Sequence, residues 1–115
     1  MLVRNIGDPD VIAGAYIAHG GGVAAMLLDN QVLQGILFLA FGVIGAGRTI
    51  ESHQDPYEEI YFVLGGEGLM TVDEEQRQVK PGDAIWVPQG AAHSLSNNTE
   101  NDCHVLVVAA YNREG

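Results

Sequence analysis

Three side chains that can bind a cation or move a proton lie close together in the sequence: His53, Asp55 and Glu59. A fourth, His93, follows about forty residues after the first. In an extended strand side chains alternate between faces, so His53 and Asp55 share one. Pro56 biases Asp55 towards an extended conformation and ends backbone pairing there. Glu59 then opens the next β-like run, level with the first pair across a tight turn. His93 starts another run after the turn Pro88-Gln89-Gly90. Imidazoles and carboxylates on several strands of a rigid barrel can converge on one cation. The competing reading is that a histidine in a β protein packs in the core or sits at the surface, and that carboxylates cluster cheaply in an acidic chain.

The elements that must position these groups read as strands. Fifteen glycines and four prolines punctuate the chain, and no window between them keeps a helical period. Strands are expected at Leu2–Ile6, Val23–Leu28, Leu33–Ile44, Glu59–Leu64, Gly68–Val72, Gln76–Val79, Ala84–Val87, His93–Ser96 and Cys103–Tyr111, where Val, Ile, Tyr, Phe and Trp concentrate. Turns are expected at Gly65-Gly66, Asp73–Glu75, Pro81-Gly82-Asp83 and Asn97–Asp102. So many short strands must close into a barrel or stack as two sheets, because exposed edges aggregate. No linker or internal repeat interrupts the chain, so residues 1–115 are expected to form one domain. Residues 7–30 are rich in Ala and Gly, and His19-Gly20-Gly21-Gly22 suits an edge strand, a lid or a dimer contact.

Two motifs carry a family resemblance. Gly47-(x5)-His53-x-Asp55-(x3)-Glu59-(x6)-Gly66 resembles the first cupin motif, G(x)5HxH(x)3-4E(x)6G. Gly82-(x5)-Pro88-x-Gly90-(x2)-His93-(x3)-Asn97 matches every fixed position of the second, G(x)5PxG(x)2H(x)3N. Residues 47–66 and 82–97 thus look like those of a small RmlC-like cupin, which implies an all-β, double-stranded jelly-roll barrel. The resemblance also implies one divalent metal ion (Fe, Mn, Ni or Zn) held by His53, Glu59 and His93, with Asp55 where the family has its second histidine. A carboxylate there still binds a hard or borderline cation, but it adds negative charge. Three outcomes stay open. Asp55 completes a 2-His-1-carboxylate set with the histidines; or Asp55 falls short and Glu59 completes it; or the site has lost its metal.

Alternation from Glu59 turns Tyr61 and Val63 inward and Ile60, Phe62 and Leu64 outward; from His93, Leu95 and Asn97 point inward. Tyr61 is the candidate proton donor or substrate contact, and Glu59 a candidate base if it is not a ligand. Plain packing is the competing reading for Tyr61. Glu51 is expected at the surface or the pocket mouth, Glu58 in solvent, and His19 and His104, which have no partner in sequence, as structural or exposed residues.

Composition narrows the function. Fifteen acidic residues face five basic ones, for a net charge of −10, a surface that repels phosphate backbones, so no nucleic-acid partner is expected. The N-terminus lacks a signal-peptide layout, and the apolar stretch 36–44 is too short for a membrane helix. With the single cysteine Cys103, this points to a cytoplasmic protein without disulfides and without a membrane partner. Two functions remain. One is a metal-dependent dioxygenase, isomerase or lyase acting on a small oxygen-containing molecule such as a carboxylate, enol or sugar. The other is a non-catalytic module that binds or senses such a molecule. The apolar outward residues point to a homodimer.

Overall fold

The computed structural model describes residues 1–111. After a short helix α1 (Pro9–Ala13) come ten strands: β1 (Tyr16–Ala18), β2 (Gly22–Leu28), β3 (Phe38–Ile44), β4 (Thr49–His53), β5 (Glu58–Gly65), β6 (Gly68–Val72), β7 (Glu75–Val79), β8 (Ala84–Val87), β9 (His93–Ser96) and β10 (Cys103–Ala110). They form a six-stranded sheet in the order β1-β2-β3-β10-β5-β8 and a four-stranded sheet in the order β4-β9-β6-β7, with antiparallel pairing throughout. This is the all-β jelly roll that the family resemblance implied.

The core lies between the two sheets. Ile44, Tyr61, Val63, Val87 and Val105 of the larger sheet meet Ile50, Met70, Val79 and Leu95 of the smaller. Each such buried side chain contributes about 1.5–3 kcal/mol over its exposed state. The alternation read along β5 holds, since Glu59, Tyr61 and Val63 are buried while Ile60, Phe62 and Leu64 are exposed. His93 and Leu95 of β9 and Asn97 just beyond it are likewise buried. Asn97 is a structural hub. Its Nδ2 donates to the carbonyls of Ile44 (2.8 Å) and Asn101 (2.6 Å), and its Oδ1 accepts the Thr99 N–H (3.0 Å) and hydroxyl (2.7 Å). Gly66 has φ 72, and a Cβ there would overlap the Asp102 carbonyl, so the motif glycine is needed on both counts.

The N-terminal region departs from expectation. Leu2–Ile6 is not a strand, because a turn follows at once. The Asn5 N–H donates to Asp8 Oδ2 (2.9 Å) and the Gly7 N–H to Asn5 Oδ1 (2.8 Å), and Pro9 opens α1. The run Leu33–Ile44 is shorter than its apolarity suggests. Asp29 folds the chain back, its carbonyl accepting the N–H groups of Val32 (3.0 Å) and Leu33 (2.8 Å), and β3 begins only at Phe38. β10 ends at Ala110, one residue before Tyr111. Neither β1 nor β4 was among the expected strands. No helix among the described residues is long and apolar enough to cross a membrane.

Candidate metal centre

β4 delivers His53 through an irregularity. Ile50 pairs with Leu95 and His53 with His93, so β4 advances three residues where β9 advances two. The extra residue inverts the alternation, and Ile50 and His53 both turn towards the space between the sheets while Glu51 stays exposed. His93, opposite His53, is only 1 % exposed. Glu59 reaches the same point from β5 of the other sheet and is 4 % exposed. Asp55 lies beyond the end of β4, so strand alternation does not place it. Its carbonyl accepts the Gly90 N–H (2.9 Å), which ties its loop to the turn before His93.

The four side chains meet. One ligand atom from each of His53, Asp55, Glu59 and His93 lies within 4.8 Å of all the others. Asp55 is long enough, with Oδ2 3.2 Å from His53 Nε2 and 3.5 Å from His93 Nε2. Glu59 Oε1 is 3.0 Å from His93 Nε2.

The tautomers decide what this cluster can do. His53 Nδ1 lies 2.8 Å from the Glu51 carbonyl and His93 Nδ1 2.9 Å from the Ala91 carbonyl. A carbonyl has no proton to give, so each Nδ1 carries the hydrogen and donates. On a neutral ring each Nε2 is then a bare lone pair facing carboxylate oxygens. The buried atoms His93 Nε2 and Glu59 Oε1 have no hydrogen-bond partner. Acceptors set against acceptors in a buried site require a positive charge between them. Protons are one way to supply it. Burial alone would lower the pKa of His93, but the Glu59 carboxylate, the Ala91 carbonyl and Asp55 together raise it. Burial also raises that of Glu59. A divalent cation is the other way, and two Nε2 atoms with two carboxylates form a donor set suited to Fe, Mn, Ni or Zn.

A cavity of about 130 Å³ opens beside the cluster, walled by Ala24, Met26, Ala40, Ile44, Ile50 and Val107. Tyr61 lines it at 4 % exposure, its ring edge-on to His93 with centroids 6.0 Å apart. Burial, then the Glu59 and Asp55 charges, raise its pKa and keep the phenol protonated. An open cleft of about 1020 Å³ between the free edges β7 and β8 touches none of the four residues.

Residues 40–109, more than half of the chain, match the cupin domain family. The chain belongs to the cupin family. This cupin is 35 % identical over 85 residues to an uncharacterised protein of Methanocaldococcus jannaschii, covering 71 % of this chain and 67 % of that one. It is 30 % identical over 64 residues to an oxalate-binding protein of Thermotoga maritima, 56 % of this chain and 52 % of the relative. A dimethylsulfoniopropionate lyase of Ruegeria pomeroyi is 40 % identical over 50 residues, 43 % of this chain and 25 % of the lyase. Among solved structures, a predicted oxalate decarboxylase of Thermotoga maritima superposes with a TM-score of 0.81 at 24 % identity, covering 97 % of this chain and all of that one.

Two residues of this cupin site escaped the sequence reading. His19, read from the sequence only as structural or exposed, is exposed and stacks on His53 with ring centroids 3.4 Å apart and planes 10° apart. Burial, then the neighbouring His53, lower its pKa. The run of three glycines after it was the available signal. Tyr57 lines the cavity, edge-on to Phe38 (5.8 Å) and Tyr111 (6.1 Å), and burial followed by the Asp55 charge raises its pKa. Nothing in its spacing marked it. His104 lies apart, its ring 5.9 Å from Phe41. Glu58, expected only to be solvated, accepts the Trp86 indole N–H at 3.0 Å.

Proposed function

We propose that this cupin is a metal-dependent enzyme acting on a small carboxylate. One divalent ion is held by His53, Asp55, Glu59 and His93, and the reaction is of the lyase, isomerase or dioxygenase class. The observation that carries the reading is the pair of Nδ1-anchored imidazoles, whose free Nε2 atoms face two carboxylates with no donor between them. The bound ion would supply Lewis acidity towards a carboxylate or enolate oxygen. Tyr61, protonated and buried beside the cluster, is the proton or hydrogen-bond donor to that oxygen. Glu59 acts as a ligand in this reading, since its carboxylate is spent on the cluster. The carboxylate class draws support from relatives named for oxalate and dimethylsulfoniopropionate. We place the protein in the cytoplasm, as a homodimer of one-domain chains.

Elemental mass spectrometry tests the centre, and it should find about one ion per chain, absent from His93→Ala and reduced in Asp55→Ala. No uptake of Mn, Fe, Ni or Zn by the folded wild type would refute it. The oxalate-binding relative favours a second reading, a carboxylate-binding module without catalysis. Loaded protein that binds a carboxylate tightly, yet forms no product with or without oxygen, would decide for the module.

A further inference from the structure

We infer that His19 is a ligand-contacting residue, which hydrogen-bonds a small carboxylate held at the metal centre. This inference rests on the metal reading above and adds to it a residue from outside both motifs and outside the matched stretch 40–109. His19 lies in the turn between β1 and β2. Its ring lies flat on His53, 3.4 Å away, and it lines the same cavity as His53, Asp55, Glu59 and Tyr61. It is not one of the four residues whose ligand atoms cluster. The imidazole therefore flanks the centre without joining it, within reach of a molecule bound there.

The backbone holds it in that place. A Cβ at Gly21 would overlap the Thr49 carbonyl, and one at Gly20 would press on the Glu51 carboxylate. Only glycines let the hairpin approach β4 so closely. The His19 carbonyl accepts the Glu51 N–H (2.9 Å), and His19 itself adopts φ 45. A non-glycine residue held in the left-handed region beside a cavity is the kind of local strain that persists where the surroundings enforce it.

The chemistry selects the ligand. No Lys or Arg lines the cavity among the described residues, so a carboxylate has no cationic side chain to meet there. His19 is the one imidazole of the cavity lining that the metal reading leaves free, as His53 is taken up by the centre. One carboxylate oxygen would face the centre and the other the His19 N–H.

The test uses Co(II), whose visible spectrum reports its ligands, with acetate as the probe. Wild type and His19→Ala should take up Co(II) alike, and acetate should shift both spectra. The shift should need about tenfold more acetate in His19→Ala, the loss of one hydrogen bond to a charged group. His19→Gln, which keeps a donor, should recover part of the difference. Equal acetate titrations in wild type and His19→Ala would overturn the inference, as would a wild-type spectrum that ignores acetate. So would a loss of Co(II) affinity of about 10- to 100-fold in His19→Ala, which marks a residue that only orients a ligand. A wild type that takes up no Co(II) would instead overturn the metal reading itself.

Discussion

His53 and His93 owe their usefulness to atoms on the far side of their rings. Each Nδ1 donates to a carbonyl two residues earlier, Glu51 at 2.8 Å and Ala91 at 2.9 Å, so each Nε2 is aimed before any cation arrives. The proton bookkeeping follows from the same geometry. His93 and Glu59 both have pKa values raised above their ordinary 6.5 and 4.5, so without metal the pair retains protons to higher pH than free groups would. A raised folded pKa contributes stability that is full below the ordinary value and lost as pH rises through the raised one. The metal-free protein should therefore lose this contribution from mildly acidic pH upwards. Metal must displace those protons, so its binding strengthens over the same range. The gain in melting temperature on adding Zn or Mn should accordingly grow from about pH 5 to about pH 8. Thermal melts with and without chelator check this, and using the difference cancels the acidic residues outside the centre, which titrate in both samples. In His93→Ala the metal-induced gain should vanish at every pH.

At the scale of elements, close approach of the β1–β2 hairpin to β4 is the feature most exposed to substitution. Gly21→Ala should destabilise the fold by about 1–3 kcal/mol, because its Cβ would meet backbone that cannot swing aside. Gly35→Ala is the control, since a Cβ there meets nothing within 4 Å, and it should be neutral or slightly stabilising. Chemical denaturation of both variants measures the contrast. The same elements explain what the sequence could and could not reveal. Strands β5 to β10 were legible because turn residues bracket them and, in β5 and β9, because inward and outward residues alternate. Their inward residues, from Glu59 and Tyr61 to Leu95 and Asn97, were legible with them. The β4 irregularity was not, because an extra residue between Ile50 and His53 leaves no mark in composition. Asp55 was grouped correctly with His53 for a reason that does not apply, since its loop and not strand alternation carries it there. The run Leu2–Ile6 has the apolar content of a strand, yet the Asn5–Asp8 turn diverts it. His19 was hidden because its partner His53 is distant in sequence, and only the stacking of one hairpin on another strand joins them.

The whole molecule leaves one side of its larger sheet apolar. On β5 the outward residues Ile60, Phe62 and Leu64 are 46 %, 39 % and 45 % exposed, and Trp86 of the adjacent β8 is 63 % exposed. β10 extends the same face, because Phe62 pairs with Leu106 and Ile60 with Val108, and β3 continues it with Phe41 and Leu39. A chain of net charge −10 gains solubility from its polar surfaces, so a mostly apolar face of several strands, with Glu58 at its margin, is a place for another apolar surface. A second copy is the simplest occupant, as an identical face brings matching apolar area. Light scattering should therefore give twice the chain mass of 12.3 kDa at micromolar concentration. Phe62→Glu should return the protein to one chain, since a carboxylate in the middle of the interface costs several kcal/mol with no partner to meet it. That variant should still bind its metal, because Phe62 points away from the cavity that Tyr61 and Glu59 line. A wild type of single-chain mass would sink the dimer and leave the metal centre standing; a Phe62→Glu protein that loses its metal together with its partner would mean that pairing helps to hold β5, and with it Glu59, in place.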